Sequence, residues 1–421
     1  MFNIKNKVLD NGLELITVPM PALKSVTAMM LVNTGSRFET DAFQGSAHLL
    51  EHLIFKGTKQ YPNSLDLSIA LDGIGAISNA FTSKESTGYY VTAASSHLFF
   101  CLNILKELIF HPLLREKDIE QEKQVVAEEI RMIHDSPDDF ISDKFEQMVF
   151  QGTGLEHFIA GSLSSVAALD SKKLTLFLQE WYGLENMVLV LAGDADCLNG
   201  EDFFNKIEKI FDSQPEGREN SHDQKRADFL TDNPISKKKQ MQYKRDTEQT
   251  HVVLGWPALK RDDPQRYVLT VLSTVLGGNR SSRLFHVVRE QSSLAYYIYT
   301  DVSQYHDGGI LETSAGLNKD RSDEGIELII NECEKIAGGS EPVTAEELQR
   351  AQEYLIGKIL LSLENSRLVA QQHGLSRILL NRIEQPDEMI KGIRKVSVKQ
   401  VNQLAGKIIQ KNEVRVARIG S

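Results

Sequence analysis

His48-Leu49-Leu50-Glu51-His52 sets two imidazoles one helical turn apart with a carboxylate between them. At about 3.6 residues per turn, side chains at i and i+4 project from one face, so both rings can grip one metal while Glu51 lies beside its open position. A hydrolytic zinc needs three protein donors and a water, and the third donor is commonly a carboxylate. These five residues supply two donors and a base. Alone they also fit a helix that carries two histidines and no metal.

A third donor must come from elsewhere. The strongly helical stretch Asp118 to Ile133 contains Glu120, Glu122, Glu128 and Glu129. Glu122 and Glu129 share one helical stripe, while Glu128 points roughly 100° away from Glu129. One carboxylate of the stripe can bind the metal while its stripe-mate steadies a ligand. Without the histidines the same pattern reads as a solvated, charged helix face.

The segment Gly45-Ser46-Ala47-His48-Leu49-Leu50-Glu51-His52-Leu53-Ile54-Phe55-Lys56-Gly57-Thr58 closely resembles the active-site segment of the pitrilysin-like zinc peptidases. In these the order His-x-x-Glu-His inverts the commoner His-Glu-x-x-His. The family includes pitrilysin, insulin-degrading enzyme and the mitochondrial processing peptidase, and this chain is similar to the half-length, two-domain type related to the processing-peptidase subunits. Glu122-Lys123-Gln124-Val125-Val126-Ala127-Glu128-Glu129 matches the family's downstream segment. The resemblance therefore implies one Zn2+ per chain on His48, His52 and Glu129, with Glu51 as base and Glu122 assisting. Asn79-Ala80-Phe81-Thr82, followed by Thr87 and Tyr89, looks like the family's substrate-pairing edge strand. Such an edge takes up extended peptide through its backbone. Arg289 and Tyr296, in Arg289-Glu290-Gln291-Ser292-Ser293-Leu294-Ala295-Tyr296, resemble a distal pair that reaches the substrate carbonyl. A guanidinium and a phenol can donate hydrogen bonds to a developing oxyanion. Ser293 stands where the family commonly has glycine.

These residues need scaffolds to position them. A chain of 421 residues is too long for one core, so two domains of about 200 residues are expected. With 41% hydrophobic and 25% charged residues, disordered and fibrous classes drop out. A net charge of −11 argues against a nucleic-acid partner. Cys101, Cys197 and Cys333 form no CxxC and read as reduced thiols. The N-terminus shows no leader pattern, and no run approaches the roughly 18 apolar residues of a membrane span. A cytoplasmic protein without membrane contact is expected.

Along the chain, short strands flank an Asn11-Gly12 turn, a third strand covers Val26 to Val32, and another covers Tyr89 to Ala93. Helices are expected at about His97 to Phe110 and Asp118 to Ile133, then a strand at Met187 to Leu191. Residues 213–239 are poor in apolar side chains and contain Pro215, Gly217 and Pro234, which marks a linker between domains 1–212 and 240–421. The element order then returns: Val26 corresponds to Val252 and Asn186 to Asn412, each offset by 226 residues (252 − 26 and 412 − 186). Where the second copy should carry the metal helix, Tyr267 to Gly278 contains no His, Asp or Glu.

The fold class expected is thus α+β: two homologous α/β-sandwich domains, a duplicated unit of mixed or antiparallel sheet with helices. The resemblance makes the chain one half of a clamshell around a closed chamber, most economically a homodimer, with a heterodimer containing an inactive homologue as the alternative. The activity implied is zinc-dependent endopeptidase action on short or unfolded peptides. The competing expectation is a non-catalytic scaffold or regulatory homologue that needs a partner subunit.

Overall fold

A computed structural model describes residues 2–199, 202–212, 217–218, 222–232 and 234–420 of the chain. The first sheet comprises β1 (Lys5–Val8), β2 (Glu14–Pro19), β3 (Ser25–Val32), β4 (Ile77–Thr82), β5 (Thr87–Ala94) and β6 (Met187–Gly193), in the order β1-β2-β6-β3-β5-β4. Strands β2 and β6 are parallel and the other neighbours antiparallel. The Asn11-Gly12 turn joins β1 to β2 with Gly12 at φ 89°, a left-handed conformation that a side chain opposes.

Alternation along β3 divides the first core. Val26, Ala28, Met30 and Val32 face one apolar cluster, and Met29 and Leu31 face another. The first cluster contains Leu49, Leu50 and Leu53 of the helix Ser46–Leu53, together with the helix Leu98–Phe110 and Ile119 and Val126 of the helix Glu116–Asp135. An eight-residue helix is too short to hold alone. Each buried leucine contributes about 1.5 to 3 kcal/mol, and the three here, at most 3% exposed, pin the helix that carries the histidines. Val369 and Ala370 of the helix Ser366–Leu380 join the second cluster.

A second sheet comprises β7 (Gln240–Lys244), β8 (Gln249–Ala258), β9 (Ala295–Gln304), β10 (Gly309–Asn318) and β11 (Arg415–Gly420), in the order β7-β11-β8-β10-β9. Strands β7 and β11 are parallel and the rest antiparallel, so this order and these directions repeat those of β2-β6-β3-β5-β4. The duplication expected from sequence is therefore present, with a correction of one residue. A uniform offset of 226 would turn the pair Met29↔Val190 into Gly255↔Val416, whereas Gly255 pairs with Arg415. The helix Arg266–Gly277 occupies the second copy's metal-helix stretch, with nine buried residues and no acid or histidine.

The chain forms two compact units that interleave: Met1–Ile130, His157–Phe229 and Leu360–Pro386 in one, and Arg131–Glu156, Leu230–Ile359 and Asp387–Ser421 in the other. Blocks 1–212 and 240–421 each hold one sheet. Yet the helix Ser366–Leu380 packs on the first sheet, and the helix Pro137–Val149 packs on β8 and β11 of the second. Phe140, Phe145 and Met148 of that helix cluster with Val253, Ile310, Ala417 and Ile419.

Part of the stretch 213–239 read as a linker, namely 213–216, 219–221 and 233, lies outside the described residues. The remainder is anchored. Arg218 donates to the Tyr182 and Ile109 carbonyls at 2.8 and 2.7 Å, and Asp223–Ala227 is helical. Cys101, Cys197 and Cys333 are free thiols. No helix among the described residues is long and apolar enough to cross a membrane.

Candidate metal centre

The motif helix starts at Ser46 with Gly45 as its N-cap, in the left-handed region at φ 89°. Glycine has no side chain with which to cap. Glu39 supplies the acceptors instead: its Oε2 takes the Gly45 N–H and its Oε1 the Ala47 N–H, both at 2.7 Å. With the leucines turned into the core, His48, Glu51 and His52 share the opposite side of the helix.

The long helix Glu116–Asp135 brings the third donor. Glu129 Oε2 lies 3.7 Å from His48 Nε2 and 3.8 Å from His52 Nε2, and one ligand atom from each of the three residues falls within 4.8 Å of the others. The two nitrogen-to-oxygen distances are too long for hydrogen bonds. They approach the roughly 3.3 to 3.6 Å expected between two donors on one tetrahedral zinc at ordinary ligand distances. Two neutral nitrogens and one carboxylate oxygen are also the donor set of catalytic zinc sites. Burial, and then the neighbouring His52, bring His48 down to about 4, so its lone pair is free at neutral pH. These residues fit a zinc ion. Glu128, one position away, is exposed.

Around the triad the other expected residues fall into distinct jobs. Glu122, 3% exposed, places Oε2 3.3 Å from His52 Nδ1. A proton on Nδ1 directed at this carboxylate leaves the Nε2 lone pair for a metal. Lys56 Nζ lies 2.5 Å from the other Glu122 oxygen, a partner that sequence reasoning missed although Lys56 stands within the motif segment. Glu51 Oε2 accepts from Thr82 Oγ1 at 2.6 Å. Burial, with Glu129 adding to it, raises the Glu51 carboxyl above the usual carboxylate range, against the opposing pull of Thr82 and His52.

Among the described residues strand β4 pairs only with β5 and is a sheet edge. Asn79 is exposed and its Oδ1 accepts the Ala80 N–H at 2.8 Å. Phe81 lies across Gly88, where an added Cβ would come within 2.4 Å of the ring. The structure thus gathers His48, His52, Glu129, Glu51, Glu122 and Thr82 in the first unit.

Arg289 and Tyr296 belong to the second unit. Arg289 sits on a π-helical turn, Phe285–Gln291, with its guanidinium over the Phe285 ring at 4.7 Å. Tyr296 occupies a β-bulge. Ala295 pairs with Leu317 and Tyr297 with Gly316, which leaves Tyr296 unpaired between them and 73% exposed. Bulges of this kind re-aim side chains. Ser293, the departure from the family's glycine, has φ 51°, so the turn keeps a left-handed conformation that serine opposes. Ser293→Gly is expected to stabilise the protein by about 0.5 to 1 kcal/mol, the relief of left-handed strain less glycine's greater unfolded-state entropy. A higher urea midpoint checks this; an unchanged or lower midpoint contradicts it.

Comparison with known proteins decides the ancestry. Residues 16–162 match the family model described as insulinase, peptidase family M16, and residues 168–355 match the M16 inactive domain. The chain belongs to peptidase family M16. It is 32% identical over 402 residues to the uncharacterized zinc protease YmxG of Bacillus subtilis, covering 96% of this chain and 95% of that protein. It is 30% identical over 416 residues to an uncharacterized zinc protease of Streptomyces coelicolor, covering 96% and 87%. A protease from Helicobacter pylori has the same fold at a TM-score of 0.90, with 22% identity and full coverage of both chains. An M16 inactive-domain protein from Pseudomonas fluorescens follows at 0.86, with 17% identity, covering 99% of this chain and 98% of that one. The M16 assignment agrees with the asymmetry of the two copies: among the described residues the triad in the first unit is the one metal-competent group.

Proposed function

We propose that this M16 protein is a zinc-dependent endopeptidase that cleaves short or unfolded peptides inside a chamber formed by two such chains. The observation that carries this reading is the triad His48, His52 and Glu129 with the Glu51 carboxylate beside it. A zinc held by the triad supplies Lewis acidity, which polarises a scissile carbonyl and acidifies a water. The chain's own groups do the rest. Glu51 would take the proton from an attacking water and deliver it to the leaving amine, and burial, by raising its carboxyl, makes it the better proton acceptor. Glu122 holds the His52 ring in one tautomer.

The free edge of β4 aligns the peptide backbone by strand addition, through Asn79, Ala80, Phe81 and Thr82. That pairing requires an extended segment, which selects against folded substrates. Arg289 and Tyr296 of a second chain donate to the carbonyl oxygen as charge develops on it. Exposure of Tyr296 on its bulge suits a residue that acts outside its own unit. A homodimer with two composite sites follows. Three free thiols suit the reducing cytoplasm. Peptide hydrolysis that rises with added zinc and saturates at one zinc per chain supports this reading, and zinc bound without any peptide cleaved contradicts it.

A further inference from the structure

One short segment ties the edge strand to the motif helix. Ser36 N–H donates to the Ser83 carbonyl at 3.2 Å and Arg37 N–H to the Lys84 carbonyl at 2.9 Å, so the stretch from Gly35 runs along the turn that follows β4. At Gly35 an added Cβ would stand 2.2 Å from the Ser83 carbonyl oxygen, so only glycine permits this approach. The Arg37 side chain is wholly buried and pairs with Glu85 of the same turn at 2.7 Å. The Ser83 hydroxyl closes the turn onto the Ser86 carbonyl. Two residues beyond Arg37, Glu39 caps the motif helix. The last residue of β4 and the start of the motif helix are therefore fixed to a single piece of backbone, and where the two elements meet, Thr82 Oγ1 donates to Glu51 Oε2.

We propose that Thr82 is a positioning residue for Glu51, holding one carboxylate oxygen so that the other is presented for proton transfer. Among the described residues Glu51 Oε1 has no protein hydrogen-bond partner. The bond to Oε2, at 2.6 Å, has the length of a charge-assisted hydroxyl-to-carboxylate bond. Threonine is stiff about χ1, and its backbone is paired with Thr87 of β5, so its hydroxyl does not follow a wandering carboxylate. Peptide added to β4 then meets a base whose orientation is set by the same strand that aligns the peptide. Restricting the base in this way counts directly toward rate, because misplacing a catalytic group by about 1 Å can cost about a hundredfold. The proposal rests on Glu51 being the base, and the experiment separates the two.

Thr82→Val keeps the shape and removes the hydroxyl, and Thr82→Ser keeps the hydroxyl. Steady-state hydrolysis of a fluorogenic peptide is measured for both, for the parent and for Glu51→Gln, with kcat expressed per bound zinc so that losses of folded or metallated protein do not count. Thr82→Val is expected to lower kcat about tenfold with KM within about twofold, as for loss of an interaction made in the transition state and not in substrate binding. Thr82→Ser should recover most of the loss. Parental kcat in Thr82→Val beside an inactive Glu51→Gln overturns the positioning role and leaves the base assignment standing. A raised KM with unchanged kcat also overturns it, since Thr82 would then serve only the grip on peptide. Activity in Glu51→Gln removes the base assignment and the proposal with it.

Discussion

Glu51→Gln is expected to lower peptide hydrolysis by about 100- to 10,000-fold, the usual contribution of a general base, while zinc stays bound at one per chain. The substitution is nearly isosteric, and an amide has no basic oxygen to receive the proton. His48, His52 and Glu129 are untouched, and their 3.7 and 3.8 Å approaches do not involve Glu51. Thr82 can still donate to the amide oxygen, so the strand and the helix keep their contact. Kinetics with a fluorogenic peptide and metal analysis on the same sample decide the matter. Residual activity within tenfold of the parent would place the proton acceptor elsewhere.

Mixing Glu51→Gln with Arg289→Ala, each inactive or nearly so alone, is expected to restore about a quarter of parental activity in a randomly exchanging two-fold dimer. In such a mixture half of the dimers are mixed, and each mixed dimer holds one site with both defects and one with neither. The expectation rests on the proposed composite site, with Glu51 in the unit that carries the metal triad and Arg289 in the other unit. Recovery requires that a site draw Glu51 from one chain and Arg289 from another. Absence of recovery after demonstrated subunit exchange would assign Arg289 to its own chain's site or to no site.

Much of this arrangement is legible in the sequence because it depends on local spacing. The i, i+4 histidines and the Glu122/Glu129 stripe are helical facts, and both helices form where periodicity puts them. The edge strand at Asn79 to Thr82 comes from the family resemblance and is an edge among the described residues, and the resemblance also marks Ser293 as a departure, although its left-handed φ of 51° needs the folded chain. What spacing does not carry is contact between distant segments. Lys56 on Glu122, Glu39 on the helix start and Arg37 with Glu85 are each sensible only once the chain is folded. The same holds for the interleaving of units. The helices Pro137–Val149 and Ser366–Leu380 are amphipathic wherever they dock, and nothing in their pattern says that each packs on the sheet of the other half. The one-residue slip between the β3–β6 and β8–β11 pairings is equally hidden, since short apolar stretches can be aligned at either offset.

The most direct measurement is to strip the chain with a chelator, add zinc back in steps, and follow cleavage of a diverse library of unstructured peptides together with bound metal. Activity should be absent without zinc, rise in proportion to it and saturate at one zinc per chain. One zinc bound per chain with no peptide cleaved would contradict the account and make the triad a metal site without peptidase function.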